Sequence, residues 1–180
     1  IANDILMAAE RKSTKKIRPK DYMPAQNAGA KNLKDRMRTV LMCTEGLSAS
    51  KFVNTGIRQV KSNTVPIGGP SPNWIGYISL GGVITNTLKQ ITRVTVETTR
   101  RDGSIAKITK IIRSEALRND VVLNSIIVAL NLNYNLKYDT DAEIATLNYG
   151  RLSICVDQDL DGCGKIAPLV LVWIYTFWPN

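Results

Sequence analysis

Residues 126–138 read IIVALNLNYNLKY. Ile126, Val128, Leu130, Leu132, Tyr134, Leu136 and Tyr138 fall on one side of an extended chain. Asn131, Asn133, Asn135 and Lys137 fall on the other. A period of two is the signature of a half-buried strand, and a helix would scatter those residues around its axis. At about 3.3 Å per residue such a strand would span roughly 43 Å. This reading sets the expected fold as β-rich.

Neighbouring segments extend the pattern. WIGYISL (74–80) reads as a strand. Two more strand-like runs, 91–99 and 104–113, flank RRDG (100–103), and Asp102–Gly103 suits a tight hairpin turn that needs positive φ. Leu152, Ile154 and Val156 alternate with Ser153, Cys155 and Asp157. LVLVWIYTF (169–177) is apolar on both sides, as a doubly covered strand would be. Residues 1–10 offer one short amphipathic turn or helix. Residues 31–42 predict a better helix, with Leu33, Met37, Val40 and Leu41 on one face and Gly46 as its stop. The loop 62–73 holds three prolines and two glycines.

The expected architecture is α+β and β-rich: a single mostly antiparallel sheet or sandwich with one or two helices and a basic N-terminal arm. Residues 1–30 form the arm and 31–180 one globular domain. The chain has 180 residues, enough for one domain with a real core. Ile1–Ala9 is too short and too polar at Asp4 for a signal peptide, and Ile166–Trp178 is too short to span a bilayer. Cys43, Cys155 and Cys163 leave one thiol unpaired in any scheme, which favours a reducing compartment over a disulfide framework.

Charge is distributed unevenly. The net charge is +9, with +6 on residues 1–38, +5 on 88–113 and −4 on 114–180. Acidic partners are therefore expected. The densest patch is RKSTKKIRPK (11–20). Arg11, Lys12, Lys15, Lys16, Arg18 and Lys20 are its anion-binding candidates, with Arg100, Arg101, Lys107 and Lys110 on the hairpin as a secondary basic ribbon. Such groups bind phosphates without reading sequence.

Few residues suggest catalysis. Histidine is absent, so the commonest general base and metal ligand is missing. Gly68–Gly69 and Gly81–Gly82 match no nucleotide-binding pattern. VDQDLDGCG (156–164) opens like a calcium loop, with Asp157, Asp159 and Asp161 ahead of Gly162. The twelfth position is Pro168 instead of a bidentate Glu, so only half the motif is present. The plainer reading is a solvated turn between two strands, with φ > 0 at Gly162 and Gly164. No cofactor, enzymatic activity or small-molecule substrate is expected.

GRLSICVDQDLDGCGKIAPLVLVW (150–173) resembles a stretch of the matrix proteins of rhabdoviruses, especially the small ones of plant-infecting members. It has a Gly-led alternating strand, an acidic turn, Ala167–Pro168 and an apolar run with Trp173. The resemblance implies a non-enzymatic virion protein that self-associates, binds the nucleocapsid or its RNA, and touches an anionic membrane surface in the virion or host cytoplasm. The coat proteins of small icosahedral plant viruses, with a basic RNA-binding arm and a jelly-roll shell, are the second resemblance. A cytosolic β-rich nucleic-acid-binding module is the third reading.

Overall fold

The computed structural model describes residues 21–59 and 69–179. The cations expected from Arg11 to Lys20, the short helix at 1–10 and most of the 62–73 loop lie outside the described residues.

The described residues open with β1 (Tyr22–Met23) and a single turn, α1 (Leu33–Arg36). Strand β2 (Val40–Thr44) leads into α2 (Leu47–Phe52), which continues as a wider turn over Val53–Ile57. Strand β3 (Ile75–Ser79) follows, then the long hairpin strands β4 (Ile91–Thr99) and β5 (Ile105–Arg113). Helices α3 (Glu115–Arg118), α4 (Val121–Leu130) and α5 (Asp141–Ile144) come next. Strand β6 (Arg151–Cys155) and α6 (Ala167–Phe177) complete the fold.

There are two sheets instead of one among the described residues. The larger has the order β1-β3-β2-β6. Its inner pairs are parallel: Cys43 of β2 lies between Ile78 of β3 and Ile154 of β6. Only β1 runs antiparallel, with Tyr22 opposite Ile78. Parallel neighbours need crossovers, which α2 and α3–α5 help to supply. Strands β4 and β5 form the hairpin that the sequence predicts, but among the described residues they pair only with each other and not with the larger sheet. A mixed sheet beside a separate hairpin replaces the expected mostly antiparallel sheet or sandwich.

Two expected strands are helices. Residues 126–130 belong to α4, where Leu123, Ile126 and Leu130 recur at helical spacing and are buried. Asp120 caps this helix by accepting from the Leu123 N–H at 2.9 Å. Asn131 ends it with a left-handed backbone, φ 59°. Beyond it the asparagines make local turns instead of a ladder: the Asn135 N–H donates to Asn133 Oδ1 at 2.9 Å. The alternation at 131–138 is therefore a property of a turn.

The apolar run 169–177 lies in α6. Pro168 sits in its first turn, where a missing N–H costs nothing. Val170 and Trp173 are fully buried, whereas Leu171 and Tyr175 face outward. Of the helix expected over 31–42, only Leu33–Arg36 is helical and 40–44 is strand. Gly46 opens α2 instead of closing a helix.

The core gathers Leu41, Cys43 and Ile78 of the sheet with Leu123, Ile126, Val170 and Trp173 of the helices. Each fully buried large aliphatic side chain contributes roughly 2 kcal/mol. Residues 21–30, expected within the arm, are part of this fold. Ala25 is buried, its N–H donates to the Tyr149 hydroxyl at 3.1 Å, and the Gly29 N–H donates to Asn148 O at 2.9 Å.

Candidate functional site

Strands β2 and β6 are adjacent and parallel, so their carboxyl ends open on the same edge. Ligands of open sheets with helices collect at such edges. Glu45 follows β2 directly, and Asp157 lies two residues beyond β6. The Glu45 backbone is held from both sides: its N–H donates to Cys155 O at 3.0 Å, and the Gly82 N–H donates to its carbonyl at 3.2 Å. Behind it, Thr44 Oγ1 and Ser50 Oγ meet at 2.6 Å and tie β2 to α2. The Glu45 carboxylate reaches across the edge, where Oε2 accepts from the Asp157 N–H at 3.0 Å.

The acidic turn folds back beside this pair. Asp159 Oδ1 accepts from the Gly162 N–H at 2.6 Å, and Asp161 Oδ1 pairs with Lys165 Nζ at 2.8 Å. That contact holds the Lys165 ammonium above its usual range. Gly162 is required for space and not for positive φ. A Cβ there would stand 2.3 Å from Asp157 O and 3.1 Å from Glu45 Oε2. Neither Gly162 nor Gly164 has positive φ, and the turn joins a strand to a helix and not two strands.

The carboxylates of Asp159 and Asp161 thus have separate partners, and Asp157 is engaged through its backbone N–H. Among the described residues, no group of three His, Cys, Asp or Glu side chains is gathered closely enough to hold a metal ion. The donor chemistry is nevertheless that of a hard divalent cation: carboxylate oxygens alone, with no imidazole. Glu45 was missed by the sequence reading. Its signal is an acid placed immediately between a short apolar run, VLMCT, and a glycine.

The secondary basic ribbon is present but divided. Arg100 and Arg101 sit at the hairpin tip and are exposed. Lys107 lies opposite Glu97 and pairs with it at 3.7 Å, with both side chains well exposed. Lys110 lies opposite Val94, on the other face of the ribbon.

The chain is 40% identical over 179 residues to a protein of African swine fever virus, covering 98% of this chain and 14% of that protein. That relative is a DNA topoisomerase 2. DNA topoisomerase 2 top-2 of Caenorhabditis elegans is 29% identical over 156 residues, 87% of this chain and 8% of its own length. The DNA topoisomerase 2 of Drosophila melanogaster is 27% identical over 178 residues, 99% of this chain and 10% of its own. The chain therefore spans about a seventh of the viral relative's length. No protein-family model matches it.

This similarity overturns the expected matrix protein. The coat-protein and stand-alone nucleic-acid-module readings gain nothing from it. Relatives that align along nearly the whole chain are named as an enzyme, so the expectation of a non-enzymatic virion component falls too. The local likeness at 150–173 is confined to 24 residues, and its apolar run is largely α6. A nucleocapsid or membrane partner loses its support with it. No helix among the described residues is long and apolar enough to cross a membrane.

Proposed function

We propose that this chain is a DNA-acting segment of a DNA topoisomerase 2. In this reading the carboxylates of Glu45, Asp157 and Asp159 at the ends of β2 and β6, which stand apart in this structure, would draw together to hold a divalent cation where duplex DNA is bound. The observation that carries the reading is the 40% identity to the African swine fever virus DNA topoisomerase 2 over 98% of the chain.

Changing the topology of DNA requires that a phosphodiester be opened and resealed, and phosphoryl transfer depends on positioning and on neutralising charge. Glu45, Asp157 and Asp159 would repel a phosphate if they met it bare, and a cation held by them would remove that conflict. When bound, a divalent cation such as Mg²⁺ supplies Lewis-acid stabilisation of the phosphate oxygens. Glu45 and Asp157 fix the base of the site because adjacent strands hold them at a set spacing, about 4.8 Å between backbones. Gly162 lets the turn close onto them. Asp161 is engaged by Lys165 and shields the outer side. The basic remainder of the chain draws the duplex in.

The test uses a full-length protein that carries this segment, assayed for relaxation of supercoiled plasmid in Mg²⁺. Glu45→Gln and Asp157→Asn are each expected to slow relaxation about a hundredfold or more. Duplex binding in EDTA should be unchanged. Relaxation at the unsubstituted rate in both variants overturns the reading.

A further inference from the structure

Strands β4 and β5 have nine residues each and, among the described residues, belong to no larger sheet. Nine residues at about 3.4 Å make a ribbon roughly 30 Å long. Two isolated strands are marginal in water unless something holds them. Here the root is held firmly. Arg113 is buried, with its guanidinium carbon 3.7 Å from the Tyr134 ring centroid. The Ser114 N–H donates to Gln90 O at 2.8 Å, and Ser114 Oγ donates to Gln90 Oε1 at 2.6 Å. The tip is also ordered. The Arg100 N–H donates to Ser104 O at 2.8 Å, Gly103 supplies φ 83°, and the Asp102 carboxylate is occupied by the Ser104 N–H and hydroxyl.

Between root and tip the ribbon is basic and exposed. Residues facing each other across an antiparallel pair share a face. Arg93 and Lys107 therefore lie on one face and Lys110 on the other, with Arg100 and Arg101 at the end. Cations on both faces cannot all meet one flat anionic plane, so the arrangement does not suit a lipid surface. It suits a slot with phosphates on either wall. A pleated ribbon with side chains is about 10 Å thick, and the major groove is about 12 Å wide and accepts a two-stranded ribbon.

We propose that the β4–β5 hairpin enters the major groove of duplex DNA tip first, as a contact separate from the acidic edge. The proposal rests on the reading of this chain as DNA-acting. Arg100, Arg101, Lys107 and Lys110 bind phosphates on the two walls. The threonines between them contribute no charge and impose no strong sequence preference.

The test measures binding of the 180-residue chain to a fluorescein-labelled duplex by anisotropy across a salt series. The fourfold variant Arg100→Ala, Arg101→Ala, Lys107→Ala, Lys110→Ala is expected to lose about tenfold or more in affinity near 0.1 M salt. Its log–log salt slope should be shallower by about 3.6, or about 0.9 for each of the four lost phosphate contacts. The exposed positions allow the fold to survive, which near-ultraviolet circular dichroism verifies. Arg100→Lys with Arg101→Lys should keep the slope. An unchanged affinity and slope in the fourfold variant overturns the proposal. So does a variant that loses phosphatidylserine vesicles but keeps duplex. The salt series is run in EDTA, where no divalent cation can occupy the acidic edge, so failure of the acidic-edge reading is told apart from failure of the hairpin.

Discussion

Glu45 Oε2 accepts the Asp157 N–H at 3.0 Å, joining residues 112 positions apart across two parallel strands. The bond uses a charged acceptor, which makes it stronger than a neutral one. Glu45→Ala removes it and leaves the Asp157 N–H at the surface, where water replaces part of the loss. We expect destabilisation of about 1 kcal/mol. Urea unfolding followed by circular dichroism measures it, and an unchanged midpoint would show that the bond contributes nothing to folding.

Glycine at 162 and 150 is a matter of room. A Cβ on Gly162 would lie 2.3 Å from Asp157 O, and one on Gly150 would lie 1.9 Å from Met37 O. In both cases the obstacle is backbone, so the strand or turn must move. Gly150→Ala and Gly162→Ala should each cost at least about 2 kcal/mol. Gly81→Ala meets no atom, although its φ of 67° is strained for alanine, and it should cost about 1 kcal/mol. Thermal melts of the three variants give the ranking, and a Gly150→Ala melt above that of Gly81→Ala contradicts it.

The thiols separate by environment. Burial and then the neighbouring Cys155 push the Cys43 thiol up to about 12, whereas Cys163 is exposed. The thiolate is the reactive form. A maleimide at pH 8 should modify Cys163 readily and leave Cys43 untouched until the chain unfolds. Mass spectrometry of a labelling time course checks this, and early label on Cys43 would show that the β2 core opens.

Tyrosine burial makes the fold sensitive to alkali. Burial raises the pKa values of Tyr22, Tyr134, Tyr138 and Tyr149. Each folded value is higher than the unfolded one, near 10. Above pH 10 the unfolded chain therefore loses protons that the folded chain keeps, and stability falls as pH rises. Below pH 10 these groups impose no pH dependence. Absorbance at 295 nm should show tyrosinate appearing together with unfolding, and smooth ionisation of all tyrosines before unfolding would contradict the burial.

The hairpin was fully legible in sequence because everything that makes it is local. β-branched runs flank Asp102–Gly103, and the register follows from the turn. Strands β3 and β6 were legible for the same reason. Parallel pairing was not, because nothing in VLMCT (40–44) says that its partner RLSIC (151–155) lies more than a hundred residues away. Helix α4 was misread because the alternation beyond its end at Asn131 was extended back over 126–130, and α6 because its apolar run carries no clear period. The better indicators were at their ends: Asp120 ahead of α4, Asn131 after it, and Pro168 in the first turn of α6. At the candidate site the aspartates stood out by their spacing. Glu45 did not, since its meaning comes from the neighbour strand that brings Asp157 to it.

Arg113 ends the ribbon on the Tyr134 ring, and Tyr134 stacks on Trp178 at 5.1 Å while its hydroxyl accepts from Trp173 Nε1 at 3.2 Å. The hairpin root is thus linked to two indoles through the Tyr134 phenol. The molecule carries a native optical strain gauge, and a duplex that tugs on the hairpin would be registered as a change in tryptophan emission without any attached dye.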